Sequence, residues 1–212
     1  MSSSILDEVV AGRAPRPLTF TVEQFHQLLA IGFLRDGDPV ELIDGVLMRK
    51  NRAAVGENAM THGRRHAVVV TRIQRMLERG SAGNFHVRVQ LPVTLSDRSE
   101  PEPDIALVRG MDTDYLKSHP RPSDALLIVE VADSSLDYDR ETKGRLYAAA
   151  GVTPYWIANL VDDQIEVFES PQRRRRRYER STCFRAGQSV ALKFGEGRPL
   201  SLPVAKLLGL AT

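Results

Sequence analysis

The segment ALLIVEVADSSLDYDRETKGRLYAAAGVTPYWIA, residues 125–158, decides the fold. Ala125 to Val131 is a nearly continuous apolar run interrupted by Glu130, the composition of a strand lying mid-sheet with both faces covered. Tyr138 to Ala150 reads as a helix that stops at Gly151, and Tyr155 to Ala158 as a second strand. Strand, helix and strand in this order predict a crossover unit whose helix covers one face of the sheet.

Outward from this unit, Phe85 to Leu91 alternates. Phe85, Val87, Val89 and Leu91 fall on one face and His86, Arg88 and Gln90 on the other, as in a half-buried strand. Ile105 to Val108 and Ile165 to Phe168 are further short strands. Ala67, Val70, Ile73 and Leu77 recur at helical spacing from Arg64 to Glu78, and Gly80 ends that helix. Nearer the start, Thr21 and Gln24 form a capping-box pattern flanked by Phe20 and Phe25. Val40 to Ile43 and Val46 to Met48 flank Asp44-Gly45, a strong hairpin signal. The expected architecture is α/β, a mixed β-sheet core flanked by helices. Residues 1–17 read as a loose leader and 18–212 as a single domain.

The 212 residues are 42% hydrophobic and 26% charged, which suits a globular chain and excludes a fibrous or disordered one. A domain of this size buries roughly 70% of its unfolded surface without disulfides or structural metal. Cys183 is the one cysteine, which rules out a disulfide framework or a cysteine-zinc cluster and points to a reducing, cytoplasmic setting. No signal-peptide pattern opens the chain and no stretch approaches a membrane span, so no membrane partner is expected. Charge is uneven. Residues 1–170 hold 19 Lys and Arg against 25 Asp and Glu, whereas residues 171–212 hold 10 against 2. An acidic body with a basic end fits carboxylates gathered around a cation and an element that attracts polyanions.

Three carboxylates stand where the pattern calls for apolar residues. Glu41 opens Glu41-Leu-Ile-Asp-Gly45, Asp104 closes Pro101-Glu-Pro-Asp104 before a strand, and Glu130 ends the run Leu126-Leu-Ile-Val129. A carboxylate at the end of a central strand is costly unless paired, protonated or bound to metal. Strand-end residues facing solvent are the plainer reading, and pattern alone leaves both open.

Several blocks together resemble a known family. Val129-Glu-Val-Ala-Asp-Ser-Ser135, Asp139-Arg-Glu-Thr-Lys143, Leu146-Tyr-Ala148, Ala150-Gly-Val152 and Pro154-Tyr-Trp-Ile157 resemble the bacterial restriction-endonuclease family of Uma type, within the PD-(D/E)xK nuclease superfamily. Glu41-Leu-Ile-Asp-Gly45 and Pro101-Glu-Pro-Asp104 match two further blocks in the same order, and the likeness covers roughly residues 18 to 205. It implies a restriction-endonuclease-like fold and Mg²⁺-dependent hydrolysis of DNA phosphodiester bonds, with Mn²⁺ as a substitute. Asp104 corresponds to the Asp of the motif, Glu130 to its second acidic residue, and Glu41 to an acidic residue from the N-terminal part. These three are the expected metal ligands. The lysine expected two residues after Glu130 is replaced by Ala132. The resemblance places it instead at Lys143, on the following helix, where it would emerge at the border of the packed face. Asp139 and Arg140 are expected as first-turn or supporting groups.

Other residues carry weaker signals. Gln90 and His66 are auxiliary candidates near Asp104, and Tyr147 lies four residues after Lys143 on one helix face. His62, His86 and His119 show no metal-ligand spacing. Trp156 reads as core packing. Arg173, Arg174, Arg175, Arg176 and Arg177 form a hairpin tip or edge that is either a DNA-backbone contact or a solvated loop. A homodimer is expected by base rate. The competing function is a catalytically inactive module of the same fold that binds nucleic acid or protein.

Overall fold

The computed structural model describes residue 9 and residues 11–15, 17–35, 37–50, 63–80, 85–193 and 199–210. Most of the expected leader and His62 fall outside these residues. Among those described, the helices are α1 (Val22–Ala30), α2 (Arg64–Gly80), α3 (Gly144–Ala150) and α4 (Val204–Leu208). The strands of the main sheet are β3 (Phe85–Val89), β4 (Ile105–Arg109), β5 (Ala125–Ala132), β6 (Tyr155–Asn159), β7 (Gln164–Gln172) and β8 (Arg177–Arg185). Two hairpins accompany them, β1 (Val40–Ile43) with β2 (Val46–Arg49), and β9 (Ser189–Leu192) with β10 (Leu200–Pro203).

The six main strands follow sequence order, and the sheet is mixed: β5 and β6 run parallel while the other neighbours are antiparallel. Every residue of β5 is buried, as its apolar run predicts. Alternation along β5 separates two cores. Leu127, Val129 and Val131 face α2, where Val69, Val70, Ile73 and Leu77 pack with Leu207 and Leu208 of α4. Ile128 and Ala132 face the other way, onto Leu146 and Tyr147 of α3 and Ile43 of β1. Glu130 shares the parity of Ile128 and Ala132 and therefore points under α3. Of the stripe expected on α2, Ala67 is exposed and Val69 is buried in its place.

Several local signals fold as their chemistry dictates. Thr21 caps α1 through the Gln24 backbone N–H while Gln24 returns a bond to the Thr21 N–H. Asp44 and Gly45 both have positive φ, 48° and 84°, which suits a tight hairpin turn. The crossover helix departs from expectation at its start. Tyr138–Lys143 winds as a π-helix and continues as α3 from Gly144, ending on left-handed Gly151. Such wide turns are often found at functional sites. Strand β3 stops at Val89 because Gln90 takes a left-handed φ of 52°. Arg88 is buried rather than lying on a solvated face. No helix among the described residues is long and apolar enough to cross a membrane.

Candidate functional site

The site is built where β4 ends and β5 continues. Their antiparallel ladder runs out at Ile105 and Val129. Asp104 is the next residue on the β4 side of that pair. Beyond the ladder the Asp104 side chain bonds β5 in place of a backbone carbonyl: its Oδ2 accepts the Val131 N–H at 2.9 Å. The Asp104 N–H in turn points at Glu130 Oε2, 3.3 Å away. Asp104 is thereby fixed beside Glu130 by backbone geometry.

Glu130 is the centre of the site. Its Oε1 accepts a bond from Lys143 Nζ at 2.9 Å and another from the Tyr147 hydroxyl at 2.7 Å. Four residues apart at the junction of the π-turn and α3, these two side chains meet one oxygen. Lys143 Nζ also lies 3.9 Å from Glu41 Oε2, which accepts the Glu102 N–H at 3.2 Å. Lys143 is buried, so the expectation that it emerges at the border of the packed face is corrected. The reason is the buried carboxylate below α3, which gives a buried ammonium a partner.

The auxiliary residues also gather here. His66 Nε2 lies 3.1 Å from Asp104 Oδ2, and Gln90 Nε2 donates to Asp104 Oδ1 at 3.4 Å. The left-handed backbone of Gln90, sparsely populated for a non-glycine residue, accompanies this placement. Asp139 is buried within the π-turn and accepts a 2.6 Å bond from Ser135 Oγ. Arg140 spans from the same turn to Glu166 on β7 with bonds of 2.9 and 2.5 Å.

Burial and charge divide the carboxylates. Burial pushes Glu130 up to about 8, against the pull of Lys143. Asp104 goes the other way: burial opposes its ionisation, but His66, the Val131 N–H and Lys143 outweigh it and hold the group down at about 2. Burial raises Asp139 to about 6, again against Lys143. The ammonium itself is held well above its ordinary value, because Glu130, Glu41 and Asp139 overcome the cost of its burial.

The fit to a hard divalent cation rests on which oxygens are committed. Glu130 Oε1 accepts two short bonds, whereas Oε2 has the Asp104 N–H at 3.3 Å. Asp104 Oδ2 accepts from Val131 and meets His66, whereas Oδ1 has Gln90 at 3.4 Å. One loosely held oxygen on β5 and one on the residue just before β4 suit Mg²⁺, which takes one or two carboxylates and keeps waters. Glu41, Asp104 and Glu130 do not converge as a closed three-ligand cage.

Among the described residues, the His, Cys, Asp and Glu side chains that do converge are His26, Glu100 and His119, with one ligand atom from each within 4.8 Å of the others. This corrects the reading of His119, whose partners lie 93 and 19 residues away in the chain and show no local spacing. His86 lies elsewhere, with Nδ1 3.2 Å from the Gly110 carbonyl oxygen.

The arginine run forms the tip of the β7–β8 hairpin and is exposed. Arg173 Nε donates to the Ala149 carbonyl of α3 at 3.4 Å, and Arg176 Nη2 to Asp44 Oδ2 at 2.6 Å. The tip thus abuts both α3 and the hairpin that carries Glu41. Arg145 and Arg177 line a groove with Arg140, Gly144 and Tyr178.

The fold is also that of a solved structure, a putative nuclease belonging to DUF820 from Anabaena variabilis ATCC 29413. The two superpose with a TM-score of 0.61 at 14% sequence identity, over 91% of this chain and 98% of that one. No curated protein matches the chain. Residues 22–204 match the Uma2 family, described as "putative restriction endonuclease". With that match spanning most of its length, on a nuclease-like α/β fold, the chain belongs to the Uma2 family.

Proposed function

We propose that this protein is a Mg²⁺-dependent endonuclease hydrolysing phosphodiester bonds in DNA, with Mn²⁺ able to substitute. The observation that carries this reading is the meeting of Lys143 and Tyr147 on Glu130 beside Asp104, four residues brought together at one point of the sheet. Asp104 and Glu130 would hold the ion through their loosely partnered oxygens, with Glu41 as a direct or water-mediated third ligand. A cation bound there polarises the scissile phosphate and lowers the pKa of a bound water.

The protein's own groups supply the rest. The Lys143 ammonium orients the attacking water and offsets charge developing on the phosphoryl oxygens. Tyr147 stays a phenol, since burial and Glu130 drive its pKa well up, and it fixes the rotamer of Glu130. His66 and Gln90 hold Asp104 in place. Arg173 to Arg177 contact the DNA backbone without reading sequence, and Arg140 and Arg145 share a groove with Arg177. A homodimer would let two such sites meet both strands.

One observation favours a second reading. With Lys143 seated between Glu130 and Glu41, the carboxylates form no closed cage, as in a nuclease fold that binds nucleic acid or protein without cutting. Incubation of the folded protein with supercoiled plasmid and Mg²⁺ or Mn²⁺ separates the two. Nicked or linear product supports the endonuclease, and intact plasmid under every metal tried supports the binding module.

A further inference from the structure

A second cluster, outside the nuclease site, has a different donor chemistry. His26 lies within α1, Glu100 four residues before Asp104, and His119 just before β5. His26 Nε2 is 2.6 Å from Glu100 Oε1. Glu100 is buried, and its other oxygen accepts a 2.5 Å bond from Thr94 Oγ1. The His26 and His119 rings stand edge to face, 5.9 Å between centroids and 79° between planes. Backbone bonds fix the surroundings: Glu100 N donates to Leu42 O at 2.8 Å and Thr94 N to Pro120 O at 2.9 Å.

An ion pair between His26 and Glu100 would account for their short contact, but not for His119. The Nδ1 of His119 is buried and has no hydrogen-bond partner among the described residues. A buried polar atom left unpaired is costly and uncommon. The cluster brings one nitrogen of each histidine and a Glu100 oxygen together, and all three atoms are metal ligands.

The donor set selects the metal. Two imidazoles and one carboxylate suit zinc, which takes such three-residue sets with a fourth position open. An oxygen-seeking ion such as Mg²⁺ is poorly served by two nitrogens. Tetrahedral bonds of about 2.0–2.1 Å place neighbouring ligand atoms about 3.3 Å apart. The cluster's spacings, from 2.6 Å to within 4.8 Å, bracket that value. Thr94 supplies the hydrogen bond that orients the ligating carboxylate.

We infer that His26, Glu100 and His119 form a zinc site that clips α1 to the segment leading into β4. Helix α1 packs through a small cluster, Val22 and Phe25 against Leu42 with partly buried neighbours such as Leu29 and Leu47, which a clip would reinforce. The segment it grips carries Glu102, whose N–H holds Glu41, and then Asp104. The site is distinct from the Asp104–Glu130 oxygens and does not depend on their role.

The test uses the full chain, stripped with chelator and titrated with Zn²⁺ by calorimetry, with Co²⁺ absorption to read ligand geometry. One equivalent binds in tetrahedral geometry, and zinc raises the melting temperature. His26→Asn and His119→Asn, both at partly exposed positions, each weaken binding beyond the roughly 10–100-fold lost with an orienting partner alone, and the thermal shift disappears. Asp104→Asn leaves zinc binding unchanged. Circular dichroism establishes that each variant is folded. Absence of zinc binding, unchanged affinity in both histidine variants, or loss of binding in Asp104→Asn would each overturn the assignment.

Discussion

The Lys143 ammonium lies 2.9 Å from Glu130 Oε1, thirteen residues away in the chain and on a different element. A lysine on the strand itself would have come from position 132, on the same sheet face as Glu130. That position is filled by a fully buried Ala132, packed among residues of the α3-side core. The cation therefore reaches the carboxylate from the helix above. Geometry alone makes the two a pair; the catalytic role of the pair is what mutation must establish.

Replacing Lys143 with Ala should depress the chemical step more than binding. Contacts to charge that develops in the transition state are worth roughly 10²–10³ in rate. Lys143→Arg should recover part of this, because a planar guanidinium cannot place its charge as an ammonium does. The check is a single-turnover rate at saturating DNA. A Lys143→Ala rate within about twofold of wild type, against that expected loss, would make Lys143 a structural partner of Glu130 and no more.

Moving the lysine back to the strand should fail. Ala132→Lys forces a long charged side chain into a packed, apolar position, and overpacking alone costs about 1–3 kcal/mol. Chemical denaturation should show a lower midpoint, and Ala132→Lys with Lys143→Ala should not restore cleavage. A double variant of wild-type stability and activity would contradict the packing described for this position.

Serine substitution of Arg173 to Arg177 should weaken DNA binding alike for all sequences and flatten its salt dependence. Each lost phosphate contact removes about 0.9 from the slope of log K against log salt. Arg173 and Arg176 already bond Ala149 and Asp44, so the change should fall short of five full contacts. Dissociation constants at several salt concentrations decide the matter, and equal slopes would leave the run as a solvated loop.

Glu166 predicts an acid-dependent component of stability. Burial works against its ionisation, but bonds from Arg140, Asn159 and Gln164 outweigh burial and hold its pKa below the ordinary value of 4.5. A carboxyl whose folded pKa is depressed contributes stability above the unfolded value, and that contribution disappears as pH falls through the folded value. Glu166→Gln should therefore be less stable at neutral pH and lose less on acidification. Denaturation midpoints between pH 7 and 3 provide the readout. An acid limb parallel to that of wild type would show that the Arg140 clamp adds nothing.

Much of this was legible in the sequence, for identifiable reasons. The buried strand at 125–132, the Thr21 cap, the Asp44-Gly45 turn and the crossover to Tyr155 are local signals of period and turn chemistry, and they fold as read. The carboxylates stood out because apolar pattern made them anomalous. Their gathering with His66 of α2, Gln90 after β3 and Tyr147 of α3 is tertiary, which no spacing displays. The π-turn was hidden because its residues are compatible with an ordinary helix. The His26, Glu100 and His119 cluster was missed because its members come from three separate elements. Alternation puts Arg88 on the second face of β3, but it does not reveal what buries that face.

The central claim is that Asp104 and Glu130 are the residues through which this protein cuts DNA with a divalent metal. Purified wild type, Asp104→Asn and Glu130→Gln, each verified as folded, should be compared on supercoiled plasmid with Mg²⁺ and with Mn²⁺. The account predicts metal-dependent nicking by wild type and its loss in both variants. Folded wild type that leaves the plasmid intact, or variants that cleave at the wild-type rate, would contradict it.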